Sequence, residues 1–353
     1  MSRLTRFVDA CYRRPTDCTP IWLMRQAGRY QASYRALRAG IPFLELCKTP
    51  ELAAKVTVNA VEETGVDAAI IFSDILIAVE AMGAPLELSE AGPKLTSPVR
   101  DRHAVEALCV PDPTETVPFL LEAVRQTRAA LRDVVPLIGF AGAPLTLASY
   151  LVEGGHSKTY ANLRRLLFAA PETAHQLMDK LARTVLLQLR AQVEAGCQAV
   201  QLFDSWGGIL SPLDYRAFVL PYLKQIFEGL AGLGVPRILF ATGAATVLEL
   251  MRESGAEVIG VDWRIDLDEA RRRLGPGVAV QGNLDPGCLF MEPPALEARA
   301  RLVLDQAGEE PGFIFNLGHG VLPETPPENV RFLVEAVHRL SARPAATAGA
   351  GRP

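Results

Sequence analysis

The chain alternates short, continuously apolar segments with longer segments of helical periodicity, and this alternation restricts its fold more than any other feature. Segments that are apolar throughout predict strands buried on both faces, as in a parallel sheet covered by helices. Eight such segments occur, each followed by a predicted helix: 20–24, 68–72, 136–140, 199–203, 237–240, 258–261, 278–281 and 313–315. Eight strand–helix units in one chain predict an α/β fold, a (β/α)8 barrel of the TIM type.

The predicted barrel occupies residues 1–340 as a single domain. Residues 84–100 are punctuated by Gly, Pro and Ser, which predicts a hairpin insertion after the second strand. Residues 341–353 are rich in Ala, Gly and Pro and predict a disordered tail. A doubly wound open sheet is the alternative fold, but the first strand lacks the G-x-G-x-x-G turn that such a sheet would favour.

Composition limits the partners of this chain. Of its 353 residues, 49% are hydrophobic and 22% are charged, as in an ordinary soluble protein. The net charge of -4 disfavours nucleic acid or an anionic membrane as the main partner, so an anionic ligand needs a local cluster of cations. The six cysteines form no CxxC or His-x-Cys pair, which favours free thiols in a reducing compartment and predicts no metal site. Without a long apolar segment, the chain is predicted to be cytoplasmic.

Polar residues follow most of the predicted strands. In a (β/α)8 barrel the loops after the strand carboxyl ends meet at one mouth, where active sites lie. The residues at these ends are Arg25, Arg29, Asp74, Tyr150, Asp204, Ser205, Thr242, Asp262, Asn283 and His319. Six of them also have a simpler interpretation: the arginines as solvated surface residues, the aspartates as helix caps, and His319 as an ordinary loop histidine.

The types of these residues favour one kind of chemistry. Arginine presents a fork of donors that matches carboxylates, and Arg25 and Arg29 flank the flexible Gly28. No nucleophile elbow, phosphate-binding loop or HExxH motif occurs, and Tyr150 and Ser205 have no adjacent base. We therefore expect these two residues to be hydrogen-bond donors to a ligand. The set predicts a polycarboxylate substrate and proton transfer.

At these positions the sequence resembles the uroporphyrinogen decarboxylase family. The matching segments run in the family's order: PIWLMRQAGRY, DAAIIFSDIL, GFAGAPLTLASYLVEGG, VQLFDSWGG, IGVDWRIDL, QGNLDP and FNLGHGVLPETPPENV. The resemblance implies a cytosolic (β/α)8 barrel enzyme of haem and tetrapyrrole biosynthesis, without a cofactor and usually a homodimer. It also implies a carboxy-lyase reaction, in which the four acetate side chains of uroporphyrinogen III lose carbon dioxide and coproporphyrinogen III is formed.

The resemblance also implies roles for individual residues. The family's substrate-binding positions fall on Arg25, Gln26, Ala27, Gly28, Arg29, Phe43, Asp74, Tyr150, Ser205 and His319. Asp74, Arg25 and Arg29 would be catalytic: the aspartate would stabilise a cationic, protonated pyrrole, and the arginines would hold carboxylates, with an arginine or an ordered water relaying protons. Tyr150, Ser205 and His319 would position further carboxylates, and a positive charge on His319 beside them is left open. The turn at residues 241–244 departs from the family's Lys-Gly-Gly pattern.

Three other functions are weighed against this one. A corrinoid- or folate-linked methyltransferase on a related barrel would need a zinc site with a His-x-Cys pair near a strand end, and the turn at Thr242 offers none. A non-catalytic tetrapyrrole-binding protein is disfavoured by the presence of Asp74 and both loop arginines. A nicotinamide-dependent dehydrogenase would need the missing glycine fingerprint.

Overall fold

The computed structural model describes residues 2–89 and 92–343. Its strands are β1 (Ala69–Ile70), β2 (Leu86–Ser89), β3 (Gly92–Leu95), β4 (Leu137–Gly142), β5 (Ala199–Asp204), β6 (Arg237–Ala241), β7 (Val258–Gly260), β8 (Ala279–Leu284) and β9 (Phe313–Leu317). Seven of them form one curled parallel sheet in the order β1-β4-β5-β6-β7-β8-β9. The strands are buried because helices cover the sheet. The predicted α/β barrel fold is confirmed.

The segment around Ile21 fills the eighth position and closes the barrel. Ile21 forms a parallel bridge with Phe315 of β9, whose N–H donates to the carbonyl of Pro20 at 2.9 Å. On the other side, the Asp67 N–H donates to the carbonyl of Ile21 at 2.8 Å. The predicted strand at 20–24 is therefore reduced to a short bridge. The N–H of Leu23 donates instead to a nearby glutamine side chain, so the backbone leaves the ladder at this point.

The helices surround this sheet. They are α1 (Arg3–Cys11), α2 (Ala32–Arg38), α3 (Phe43–Lys48), α4 (Pro50–Thr64), α5 (Ile77–Ala81), α6 (Arg102–Ala107), α7 (Pro113–Thr116), α8 (Pro118–Leu131), α9 (Pro144–Glu153), α10 (Ala161–Ala169), α11 (Pro171–Ala195), α12 (Pro212–Phe218), α13 (Leu220–Leu230), α14 (Leu248–Glu253), α15 (Leu267–Leu274), α16 (Pro293–Ala307) and α17 (Pro327–Leu340). The helical periodicity of residues 114–132, 161–196 and 214–233 predicts one helix in each segment, but each segment forms two helices. A proline stands in the first turn of each second helix, where it lacks the N–H that a continuous helix requires.

Two other segments lie outside the barrel sheet. Strands β2 and β3 pair antiparallel, with Leu86 opposite Leu95, and Lys94 bridges to Gly155 after α9. The predicted disordered tail begins where α17 ends, and residues 344–353 lie outside the described residues. In the part of the chain that the structure describes, no helix is both long and apolar enough to span a membrane.

A buried carboxylate fixes the closing segment. Asp67 accepts hydrogen bonds from the N–H of Ile21 at 2.8 Å, from Arg6 of α1 at 2.6 Å and from His338 of α17 at 2.6 Å. Its side chain is fully buried, so these bonds replace the water that the carboxylate loses on folding. The first and last helices are thereby tied to the segment that precedes the Arg25 loop.

Candidate active site

The loop at residues 25–31 is held by its own polar side chains. The buried Gln26 accepts from the N–H of Leu23 at 3.2 Å and donates to the carbonyl of Ala68 at 3.2 Å. The Tyr30 hydroxyl donates to the Gln26 carbonyl at 2.7 Å. The Gly28 N–H donates to the Gln31 side chain at 3.1 Å. Gln26 therefore anchors the loop to the barrel from inside, while Ala27 is partly buried in a small apolar cluster beside it.

The two loop arginines remain available to a ligand. Arg25 and Arg29 are both exposed, and within the described residues neither guanidinium has an ion pair or a hydrogen bond. Arg25 has a left-handed backbone, with φ of 59°. The sequence alone does not indicate this conformation, which is costly for a residue with a side chain. It places the arginine at the turn where the chain leaves the closing segment.

Arg25 meets the loop after β9. The Val321 N–H donates to the Met24 carbonyl at 2.9 Å, which joins the two segments. The stem of Arg25 lies directly over Gly320, where an added Cβ would be 2.3 Å from the arginine Cδ. Glycine is needed at 320 because any side chain would occupy the space of that stem. His319 is thus held beside Arg25.

Asp74 lies beyond the end of β1, within electrostatic reach of Arg25. One of its carboxylate oxygens accepts from the Leu76 N–H at 2.8 Å in the turn before α5. The N-cap of α5 is Leu76, so Asp74 does not have the helix-cap role that the sequence also allowed. Burial raises the pKa of Asp74, while the Leu76 N–H and the positive charge of Arg25 oppose that rise. Asp74 and the Arg25 loop therefore lie at the same end of the barrel, as the sequence predicts.

Tyr150 reaches the same region from α9. Burial and the negative charge of Asp74 raise its pKa, and Arg25 and a hydrogen bond with Trp206 lower it. Trp206 packs against Tyr150 with ring centroids 6.2 Å apart. Ser205 precedes Trp206 in the loop after β5, and its hydroxyl has no hydrogen-bond partner among the described residues. Tyr150 and Ser205 are thus brought together through the tryptophan between them.

The charge of His319 depends on its surroundings. Burial lowers its pKa to about 4, with Arg25 and Arg264 contributing and Asp262 opposing. Two guanidinium groups near a half-buried imidazole disfavour a third positive charge. The imidazole is therefore neutral in the free protein at neutral pH, and the charged form considered from the sequence belongs to a site occupied by carboxylates.

Aromatic rings line the region around these polar groups. Phe43 packs edge-to-face on Phe72, two residues before Asp74, with ring centroids 5.8 Å apart. Phe203 makes similar contacts with Phe140 at 5.5 Å and with Phe240 at 6.1 Å. Because Phe140, Phe203 and Phe240 belong to the adjacent strands β4, β5 and β6, their rings form one apolar surface.

Sequence reasoning missed several of these residues. Phe72, Phe140, Phe203 and Phe240 are each the last residue of a predicted strand, a repeated position that could have indicated them. Trp206 stands next to the predicted Ser205 but carried no signal of its own. No group of three or more His, Cys, Asp or Glu side chains within the described ranges is placed to hold a metal ion.

The sequence also did not predict the role of Asp204, a buried carboxylate behind the site. Asp204, at the end of β5, accepts from the Thr146 hydroxyl of α9 at 2.8 Å. Its second oxygen is buried without a hydrogen-bond partner in the described structure. Burial raises the pKa of Asp204 to about 7, against the Thr146 hydrogen bond. The pair ties the Ser205 loop to the helix that carries Tyr150.

Polar side chains gathered beyond the strand carboxyl ends are the arrangement of an α/β-barrel enzyme. The protein has the same fold as a methyltransferase from Methanosarcina mazei, with a TM-score of 0.81 and 23% identity over 96% of this chain and 99% of that chain. A family model described as uroporphyrinogen decarboxylase (URO-D) matches residues 2–340. The chain belongs to this family of carboxy-lyases.

Two relatives support the assignment over nearly the whole chain. The uroporphyrinogen decarboxylase of Myxococcus xanthus is 57% identical over 95% of this chain and 96% of its own length. The protein of the same name from Syntrophotalea carbinolica is 55% identical over 95% of this chain and 97% of its own length. The family suggested by the sequence motifs is therefore confirmed.

Proposed function

We propose that this protein removes carbon dioxide from the four acetate side chains of uroporphyrinogen III and so forms coproporphyrinogen III. One observation carries the proposal beyond family membership: the desolvated carboxylate of Asp74 lies within electrostatic reach of the exposed Arg25, which has no partner among the described residues. The Asp74 carboxylate would stabilise a cation that develops on the substrate, and the Arg25 guanidinium would bind a substrate carboxylate. We expect the reaction to need no added cofactor.

The chemistry explains why a lone carboxylate suits the reaction. A pyrrole acetate keeps its carbon dioxide because the electron pair of the breaking C–C bond has no acceptor. Protonating the adjacent ring carbon creates a cationic ring that accepts this pair as carbon dioxide leaves. A proton then adds to the resulting methylene group and the ring proton is lost, which leaves a methyl group and restores the pyrrole. The net step consumes one proton.

Asp74 would stabilise the cationic ring. Its carboxylate would accept hydrogen bonds from pyrrole N–H groups, with its negative charge next to the transient positive charge. A charge interaction of this kind is stronger where water is excluded, and burial at Asp74 is the largest influence on its pKa. The Leu76 N–H donates to one carboxylate oxygen and fixes the orientation of the Asp74 side chain.

Arg25 and Arg29 would bind the carboxylate arms. Each has a full set of guanidinium donors that no described residue engages, and bidentate binding of a carboxylate needs such a free fork. Gln26, Ala27 and Gly28 would shape the loop between them. Tyr150, Ser205 and the neutral His319 would donate hydrogen bonds to further carboxylates. Phe43 and the aromatic surface of β4, β5 and β6 would contact the apolar parts of the macrocycle.

The proposed activity can be tested directly. Purified protein incubated anaerobically with uroporphyrinogen III should yield coproporphyrinogen III, detected by chromatography after oxidation. Arg29→Ala should raise KM about tenfold because one charge-assisted contact is lost. Arg272→Gln is the matched control, because Arg272 is an exposed residue of α15 that pairs with Glu269. Folded wild-type protein that leaves uroporphyrinogen III unchanged would contradict the proposal.

We further propose that residues 1–340 act as one catalytic domain in a cytoplasmic homodimer. Exposed apolar side chains support an interface, since the side chain of Leu213 on α12 is 78% exposed and that of Phe168 on α10 is 53% exposed. Phe168 also packs on the buried Phe218 of α12, the helix that carries Leu213. Light scattering after size-exclusion chromatography should give twice the chain mass, and a monomer at all concentrations would contradict the homodimer.

A further inference from the structure

The turn after β7 lies against the loop that carries His319. An added Cβ on Gly318 would be 2.6 Å from the backbone nitrogen of Trp263 and 2.7 Å from Cε3 of its ring. The two loops are therefore in direct contact, and glycine at 318 permits it. Arg264, the next residue of the turn, is brought to the side of the barrel mouth where His319 and Arg25 meet.

Arg264 is fixed by two neighbours. Its Nη1 donates to the carboxylate of Asp262, which also accepts from the Arg264 backbone N–H at 3.1 Å. Its guanidinium lies over the ring of Trp263, with Cζ 4.3 Å from the ring centroid. A stacked and hydrogen-bonded arginine loses little further side-chain freedom when it binds a ligand.

The guanidinium is nevertheless open to a ligand. The Arg264 side chain is 50% exposed, whereas Asp262 is 2% exposed. Asp262 also accepts from the Gly243 N–H at 2.7 Å, so its charge is shared with the 241–244 turn. Within the described residues, the Nε and Nη2 donors of Arg264 have no hydrogen-bond partner. These donors leave one edge of the fork for another carboxylate.

Asp262 does not cancel the positive field of Arg264 at His319. Arg264 lowers the pKa of the imidazole more than Asp262 raises it. Since His319 is neutral, Arg25 and Arg264 supply the positive charge on this side of the mouth. An octacarboxylate substrate presents more anionic arms than Arg25 and Arg29 can bind as bidentate partners.

We propose that Arg264 is a further substrate-binding residue, a third guanidinium that holds a carboxylate arm between the loops after β7 and β9. This inference rests on the proposed function, because it takes the substrate to be a polycarboxylate. Arg264 stands three residues beyond the predicted strand end, inside the matching segment IGVDWRIDL, and the sequence assigned it no role. The structure alone brings it to His319.

The test compares Arg264→Gln with Arg264→Lys, which keeps the charge. We expect Arg264→Gln to raise KM for uroporphyrinogen III about 5- to 20-fold, with kcat within about twofold of wild type. Arg264→Lys should fall between the two. The rise of KM with ionic strength should be weaker in Arg264→Gln, because one charge of the attraction is missing. Arg272→Gln should match wild type in all of these measurements.

Thermal unfolding and anaerobic binding of uroporphyrinogen III complete the experiment. An unchanged KM and binding constant in folded Arg264→Gln would overturn the role of Arg264. A fall in kcat with a lowered thermal midpoint in both variants would also overturn it, because this pattern belongs to a structural residue. Wild-type protein that binds the tetrapyrrole without converting it would refute the proposed function, while the binding constants would still decide on Arg264.

Discussion

Arg25 packs directly against Gly320, because residue 320 has no side chain. The arginine stem occupies the space that a Cβ would take, only 2.3 Å from its Cδ. This contact joins the loop that follows the closing segment to the loop that follows β9. The position of the first catalytic candidate therefore depends on a residue almost three hundred positions later in the chain.

Gly320→Ala should displace Arg25 and weaken substrate binding. A contact this short requires the stem to move, so we expect KM to rise about tenfold, as for loss of one charge-assisted contact. The control is the double-mutant cycle with Arg25→Ala. Gly320→Ala should have little additional effect once the arginine is gone. An undiminished effect in the Arg25→Ala background would show that the glycine acts on something else.

Asp74→Asn should abolish most of the turnover while preserving the fold. The amide oxygen can still accept from the Leu76 N–H, but the negative charge beside the cationic ring is lost. We expect kcat to fall at least about 100-fold, the scale on which preorganised electrostatic groups act. The thermal midpoint should not fall, because a neutral amide costs less to bury than a carboxylate. Near-normal kcat would remove Asp74 from the mechanism.

Activity should also depend on the ionisation of Asp74. Burial raises its pKa, so the free enzyme should lose kcat/KM on acidification at a higher pH than an ordinary aspartate would produce. The pH profile of kcat/KM measures this directly. A profile that stays flat down to the range of a solvent-exposed aspartate would contradict the predicted shift.

His319 should remain neutral across the physiological range. With a folded-state pKa of about 4, its imidazole carries a proton only in acid, and the folded protein loses stability as pH falls from the ordinary histidine value toward 4. Imidazole resonances followed by NMR against pH should locate this transition. His319→Gln identifies the signal among the five histidines. A transition at or above the ordinary value near 6.5 would contradict the prediction.

Asp204→Asn should stabilise the protein increasingly as pH rises. The raised folded-state pKa means that Asp204 favours folding below its ordinary pKa and that this contribution is lost as pH rises through about 7. Between slightly acidic and slightly basic pH, the free energy of unfolding of Asp204→Asn relative to wild type should therefore gain up to about 3 kcal/mol. Urea titrations at both pH values measure it.

The control for that experiment is Asp305→Asn, at an exposed position of α16. Its difference from wild type should be the same at both pH values. A pH-independent effect of Asp204→Asn would show that Asp204 does not remain buried and protonated near neutral pH. The Thr146 hydroxyl can bond either side chain, so the comparison isolates the charge.

Much of the fold was predictable because its signal is local. Apolar runs identify buried strands. The periodicity of residues 327–340 predicts a helix with these bounds, and α17 has them. The closing segment was not predictable in detail, because tertiary contacts determine where its hydrogen bonds go. The Leu23 N–H donates to the Gln26 side chain and not to the sheet. The paired helices were missed because helical periodicity continues across Pro118, Pro171 and Pro221.

The candidate site was predictable where residues stand at strand ends, as Asp74 does. It was not predictable where the charge or the contacts of a residue depend on neighbours from other parts of the chain. The sequence left the charge of His319 open, and only the structure shows that burial and two arginines lower its pKa. Trp206 and Arg264 likewise become relevant through neighbours from other parts of the chain.

The closing segment has a consequence for any attempt to rearrange this protein. The closing segment at Ile21 continues directly into the Arg25 loop. Cutting the chain in this segment would therefore also free the loop that carries Arg25 and Arg29. New termini for a circular permutant should therefore be placed away from this segment. Conversely, a bound tetrapyrrole that contacts Arg25 would stabilise the closing segment. The amide hydrogens of residues 21 and 22 should then exchange more slowly than in the free protein.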